Sequence, residues 1–413
     1  MNWNRRRMSL GFVLSGLCLC LGARLLAQNQ PSQNQTKTAA VVPQPPAKPA
    51  NRPRFDFGGN AAAIPATFIQ NVAFFPISLN QSKPSLFAVD TSASVTSIDP
   101  SRAAEIGIAP NRGYWLVFLG GAIPFASVPA AARGDFAAQI GRPYEGTLGV
   151  DFLSAVVAEL DFGRETARIF DPAAYKYSGK GTVFPLRLSN GMPVIRAKFV
   201  SPRGKDVEAD FAVDTSMIAG IVISEKFAGA RKLISSHGKP MKGYDPQLTG
   251  GEDVSLFRLK SFQIGHSGAP DIVAEFSRSR LADADDPKLA GVIGGAMLRR
   301  FSVVLDYPHQ QIIFDANSRF KDYDEEDKSG VAVVAKGPGL KTFEIVHVEP
   351  GTPGAQAGLQ KGDVIAGIDE EAAADLTLAS VRNLFRQVGH TYKLLIQRGD
   401  QTKQVSVQMR RLL

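Results

Sequence analysis

The sequence predicts a mainly β protein built of two duplicated β lobes and a compact C-terminal unit. Two observations carry this. The hexapeptide FAVDTS occurs twice, at residues 87–92 and 211–216, and each copy is followed by a second matching block. These blocks are GTLGVDFLSAVVAELDFG at 146–163 and GVIGGAMLRRFSVVLDYP at 291–308. Between them the apolar runs are short and punctuated by Gly and Pro, which marks strands and hairpins rather than long helices.

The elements follow in chain order. Arg5, Arg6 and Arg7 precede an apolar run from Met8 to Ala27. Residues 1–27 therefore read as a secretory signal peptide cut after Ala27, and the mature chain is expected in the periplasm or outside the cell. An uncleaved signal anchor is the alternative and would be the one route to a membrane. Lipidation of Cys18 or Cys20 is a further alternative, although a Leu rather than a small residue precedes each. These are the chain's two cysteines, so no disulfide, Cys-ligated zinc or cysteine nucleophile is expected in the rest. Residues 28–61 are rich in Pro and Gln and read as a disordered linker.

The whole chain has 413 residues, a formal charge of +8, 44% hydrophobic and 21% charged residues. These values exclude a collagenous, coiled-coil or wholly disordered chain. The positive charge is spread too evenly to argue for a nucleic-acid partner. Lobe one is assigned to residues 62–178 and lobe two to 179–320. An acidic run, KDYDEEDK, makes 321–329 a solvated linker, and 330–413 is the C-terminal unit.

In each lobe the apolar triplet Phe-Ala-Val ends in Asp-Thr-Ser, which puts Asp90 and Asp214 at strand ends entering a turn. A pseudo-twofold axis between the lobes would bring the two carboxylates together. Two adjacent carboxylates share a proton. One can then act as general base on water and the other as general acid. That chemistry needs no cofactor and no metal. The five histidines (His237, His266, His309, His347, His390) form no metal-ligand spacing. The bland alternative is that both Asp residues simply cap turns.

VDTSAS, at 89–94, resembles the VDTGAS motif of aspartic proteases. Leu148-Gly149 and Ile293-Gly294 resemble the hydrophobic–Gly segment that partners it. GTLGVDFL is similar in particular to bacterial retropepsin-like aspartyl proteases, which often carry a C-terminal PDZ domain. The resemblance covers about residues 62–320. It implies the duplicated two-lobed aspartic-protease β-barrel fold followed by a PDZ domain. It also implies an endopeptidase that hydrolyses a polypeptide substrate, with Asp90 and Asp214 as the catalytic pair. Thr91 and Thr215 would bond across the pseudo-twofold, and the hairpin at 118–125 would be the flap. The sequence departs from the family at Ser92 and Ser216, where the motif has Gly. Serine keeps the backbone N–H that the glycine supplies, but its Cβ needs room. Met217 is bulky for a turn beside a carboxylate, and Ala296 stands where lobe one has Asp151. The alternative function is therefore a degenerate, protease-like scaffold that binds polypeptide through its cleft and PDZ domain.

EPGTPGAQAGLQKGDVIAGID, at 349–369, resembles the core of bacterial PDZ domains. A helical turn ends at Gly358, Gly362-Asp363 turns the chain, and an apolar strand follows. A helix is expected over 376–388, with Leu378, Val381, Leu384 and Phe385 on one face. PDZ domains take a C-terminal or extended peptide as an added strand beside their second helix. By that likeness the carboxylate loop is expected at Leu340, Lys341, Thr342 and Phe343. Ile345 is expected on the strand, and Arg382 or Phe385 on the helix. The plain alternative is that Leu378, Val381 and Phe385 are core.

Overall fold

The computed structural model describes residues 52–57, 61–110, 112–233, 240–247, 251–279 and 288–413. The expected signal segment and most of the expected linker lie outside these residues.

The protein is mainly β, with four sheets among the described residues. The repeat explains their geometry. In lobe one the strand Ser85–Val89 runs parallel to Gly146–Leu148, with Phe87 opposite Gly146 and Val89 opposite Leu148. In lobe two the strand Asp206–Val213 runs parallel to Leu289–Ile293, with Phe211 opposite Gly291 and Val213 opposite Ile293. The register is the same in both copies. Phe87, Ala88 and Val89 are all buried, as are Phe211, Ala212 and Val213. Such unbroken apolar triplets suit strands covered on both faces. The glycines of the second block serve close approach. A Cβ at Gly146 would collide with the Phe87 ring, and one at Gly291 with the Val222 carbonyl and the Phe211 ring.

The Leu-Asp ends of the two blocks meet each other. Val157–Asp161 pairs antiparallel with Phe301–Asp306, Ala158 facing Leu305, Glu159 facing Val304 and Leu160 facing Val303. Equivalent residues exchange partners about the Glu159–Val304 pair, so the pseudo-twofold passes there. These strands form the centre of a six-stranded sheet completed by Ala62–Ile64, Thr166–Phe170, Thr182–Pro185 and Gln311–Ala316. The cores of both lobes merge above it into one hydrophobic cluster.

The last sheet holds Val331–Lys336, Thr342–Val348, Val364–Ile368, Thr391–Arg398 and Gln401–Gln408 in that order, with Glu371–Ala372 added beside Val364–Ile368. The helix Leu378–Leu384 covers it, its first turn closed by a capping box between Thr377 and Ser380. Leu378, Val381 and Phe385 are core residues of this unit.

Three expectations need correction. The segment 28–61 is not wholly irregular: Arg54–Phe55 pairs with the strand Gly121–Phe125, and the Arg54 guanidinium lies 4.8 Å over the Trp115 ring. The acidic run is not a solvated linker. Glu326, Lys328 and Ser329 are buried, Glu326 pairs with both Arg258 and Lys328, and Arg300 is sealed beneath carbonyls of Phe320 and Asp322. Its charges neutralise basic groups at a packed joint, which is why they tolerate burial. The hairpin of strands Tyr114–Phe118 and Gly121–Phe125 is core and not a flap. Phe118, Ile123 and Phe125 are buried, and Phe118 packs edge-on against Phe152.

Candidate functional site

Each Phe-Ala-Val strand stops where its neighbour's backbone captures the aspartate: Asp90 N–H donates to the Leu148 carbonyl at 3.0 Å and Asp214 N–H to the Ile293 carbonyl at 2.9 Å. The next residues lock the two turns together. Thr91 N–H donates to Thr215 Oγ1 and Thr215 N–H to Thr91 Oγ1, both at 3.1 Å. The hydroxyls pass the bonding on, Thr91 Oγ1 to the Val213 carbonyl at 2.6 Å and Thr215 Oγ1 to the Val89 carbonyl at 2.7 Å. Both threonines are fully buried, so every donor is used where water cannot replace it.

This grip sets Asp90 and Asp214 in one cavity of about 240 Å³, walled by Ala88, Phe136, Tyr144, Thr147, Met217 and Gln247. Ser92 donates its N–H (2.8 Å) and hydroxyl (2.6 Å) to Asp90 Oδ1. Ser216 does the same to Asp214 Oδ1 at 2.9 and 2.7 Å, and Met217 N–H adds a third bond at 3.1 Å. The serines thus keep the backbone donor and add a hydroxyl. The Met217 side chain is buried in a small core with Val194, Ala212, Val222 and Val292.

Desolvation, followed by the nearby charge of Asp214, pushes Asp90 up to about 6, against the pull of the Ser92 and Ser216 hydrogen bonds. Burial also holds the neighbouring Tyr144 phenol up, at about 12. The Arg133 guanidinium sits 5.9 Å from that ring and donates to Thr147 Oγ1 and Ser97 Oγ. Among the described residues no group of three or more His, Cys, Asp or Glu side chains could hold a metal ion. Nor is any helix there long and apolar enough to cross a membrane.

Phe136, Tyr144 and Gln247 were not legible in advance. Phe136 opens the helix Phe136–Ile140 and Gln247 follows the strand Met241–Asp245, so only folding brings them to the carboxylates. Neither position carries a motif.

In the C-terminal unit the expected groove residues are redistributed. The strand Thr342–Val348 is flanked on both sides, by Val331–Lys336 and Val364–Ile368, so it has no free edge. Phe343, Ile345 and Phe385 are core, and Lys341 Nζ donates to the Leu376 carbonyl at 2.7 Å. Leu340 closes the short helical turn Pro338–Leu340, and Thr342 starts the strand after it. The edge strand beside the helix Leu378–Leu384 is instead Val331–Lys336. The loop before it already holds a carboxylate, because Ser329 and Gly330 N–H donate to Asp327 Oδ1 at 2.8 and 2.6 Å. Arg382 does face this edge: its Nη2 donates to the Val333 carbonyl at 2.8 Å.

Residues 321–409 match the family model of the PDZ domain. This part of the chain is a PDZ domain. Across 310 residues the chain is 23% identical to the periplasmic serine endoprotease DegP of Escherichia coli (strain K12) and of Escherichia coli O157:H7. The match covers 68% of this chain and 62% of the relative, so the chain spans less than two thirds of the length of these curated relatives. Two solved structures are similar to parts of it. The photosystem II D1 C-terminal processing protease is 21% identical over 21% of this chain and 24% of that one, with a TM-score of 0.20. An aspartic proteinase from Irpex lacteus is 13% identical over 63% of this chain and 99% of that one, with a TM-score of 0.37.

Proposed function

We propose that the chain is an exported aspartic-type endopeptidase whose PDZ domain binds peptide, recruiting substrate or governing access to the cleft. One observation carries the reading. A reciprocal Thr91–Thr215 grip delivers two carboxylates from symmetric turns into one cavity, where Asp90 is pushed up to about 6. A pair so placed shares one proton. Burial favours the protonated form of Asp90, so Asp90 is assigned as the acid toward the scissile carbonyl oxygen, and the carboxylate opposite, Asp214, as the base toward water. The water oxygen bonds to the carbonyl carbon while its proton passes to Asp214 and the Asp90 proton passes to the carbonyl oxygen. In the collapse of the tetrahedral intermediate the C–N bond breaks, Asp214 passes its proton to the leaving nitrogen, and a hydroxyl of the intermediate returns a proton to Asp90. Phe136 and Tyr144 line the cavity and favour an apolar or aromatic substrate side chain beside the scissile bond.

DegP is named as periplasmic and as a serine endoprotease. An exported setting fits the basic and apolar residues 1–27 of this chain.

The test is cleavage of a mixed peptide pool between about pH 3 and 7 by the chain from Gln28 onward, beside Asp90→Asn and Asp214→Asn. Loss of cleavage in both variants supports the reading. A folded wild type that binds peptides yet cleaves none across that range would leave a binding scaffold in its place.

A further inference from the structure

The joint between the PDZ domain and lobe one reaches into the carboxylate cavity. The helix Phe136–Ile140 places Phe136 in the cavity wall and packs against the PDZ edge strand Val331–Lys336. A Cβ at Gly141, its C-cap, would strike Leu378 at the start of the PDZ helix, so this segment touches both walls of the PDZ groove. Arg382 ties the two domains. Its Nη1 donates to the Gln139 carbonyl and its Nη2 to the Val333 carbonyl, each at 2.8 Å. A guanidinium desolvated in this way is costly unless its donors are satisfied.

The contacts continue from there. The buried Gln139 side-chain amide donates to the Pro246 carbonyl. Gln247, the next residue, accepts the Ile218 N–H at 2.7 Å and donates to the Ser216 carbonyl at 3.3 Å. Ser216 in turn holds Asp214 through its N–H and hydroxyl.

We infer that Arg382 is a positioning residue for the carboxylate pair: by holding the Gln139 carbonyl it fixes Pro246 and Gln247, and with them the Ser216 turn that hydrogen-bonds Asp214. This deepens the peptidase reading and rests on it for its kinetic consequence. Occupation of the PDZ groove by a peptide would have to move the same helix, and so would act on the same turn.

Loosening the turn weakens the Ser216 hydrogen bond that favours the charged Asp90 carboxylate, so Asp90 should take up its proton at higher pH. The titratable groups facing Asp90 are Asp214, Tyr144 and Tyr307. Those nearest Arg382 are Arg386, Asp327 and Asp245. Two variants leave all of these charges in place. Arg382→Lys keeps the charge and loses the two-pronged geometry. Gln247→Leu removes the last link outside the PDZ domain.

The experiment titrates the Asp90 carboxyl by carbon NMR in the full chain labelled at aspartate, with Asp90→Asn to identify the resonance. Peptide cleavage is measured in parallel. We expect an upward shift of about 0.5 unit or more in both variants, and a fall in kcat of about tenfold with KM little changed. A merely structural Arg382 would behave like Arg398→Met, which breaks the Asp363 pair within the PDZ domain: a lower Tm and an unmoved titration. Folded Arg382→Lys and Gln247→Leu chains that both titrate as wild type would overturn the inference. A moved titration in both variants beside a wild type that cleaves nothing would instead overturn the peptidase reading and leave the positioning role standing.

Discussion

Lobe one and lobe two present the same strand, turn and carboxylate, yet brace them with different parts. In lobe one Asp151 clasps Thr96: it accepts from the Thr96 N–H at 2.8 Å and from its hydroxyl at 2.6 Å, while Thr96 Oγ1 accepts the Gly149 N–H at 3.0 Å. The matching positions in lobe two are Gly220 and Ala296, and the Gly294 N–H donates to the Gly220 carbonyl at 2.8 Å instead. Lobe two also receives Gln247, which grips the turn at Ile218 and Ser216. Symmetry is kept where the two turns must meet each other, at Thr91 and Thr215. It is lost where each turn only has to be supported. The support of lobe two comes from the loop that faces the PDZ domain, so the second carboxylate is the one open to influence from it.

The largest expected effect tests whether the lobes share the chemistry. Asp90→Asn and Asp214→Asn should each lower kcat/KM for peptide cleavage by about 10³-fold or more. Substantial residual activity in one of them would break the equivalence.

The raised Asp90 makes a second distinction. Its folded-state value, about 6, lies above the ordinary 3.8. Its contribution is therefore fully present below 3.8 and is lost as the pH rises through about 6. Relative to wild type, Asp90→Asn should gain up to roughly 3 kcal/mol above pH 6 and little below pH 4, read by urea unfolding at each pH.

Thr91→Val and Thr215→Val should each cost about 2 kcal/mol in the same measurement, because each strands buried backbone donors and acceptors. Clearly unequal costs would show that the grip is not reciprocal in energy. Smaller still, Asp151→Ala should cost about 1–2 kcal/mol by leaving the Thr96 N–H and hydroxyl without their acceptor. The paired change Gly220→Thr with Ala296→Asp should be tolerated, since a Cβ at Gly220 meets nothing nearer than 3.5 Å.

Much of the carboxylate site was legible before folding. FAVDTS repeated verbatim locates Asp90 and Asp214, and the Gly-x-x-Gly blocks supply the strands that stop beside them. The PDZ core was legible for the same reason: its glycines and apolar residues act over a few positions. The PDZ edge was not. Val331–Lys336 and Thr342–Val348 are both short apolar strands, and only their order in the sheet tells the free edge from the covered one. The acidic run misled because composition reports charge and not partners, and Arg258, Arg299 and Arg300 arrive from lobe two.

The sequence by itself determined the duplicated β architecture, the two aspartates with their threonines and serines, and the presence of a PDZ domain. Each of these rests on local periodicity or on a repeat, in which neighbouring residues impose the backbone course. The tertiary structure decided what walls the carboxylates and what braces the second of them. Phe136, Tyr144, Gln139, Gln247 and Arg382 act through contacts between distant parts of the chain, as when Arg382 reaches Gln139. Such contacts leave no spacing to read, because they depend on how three folded units pack and not on the path of any one of them.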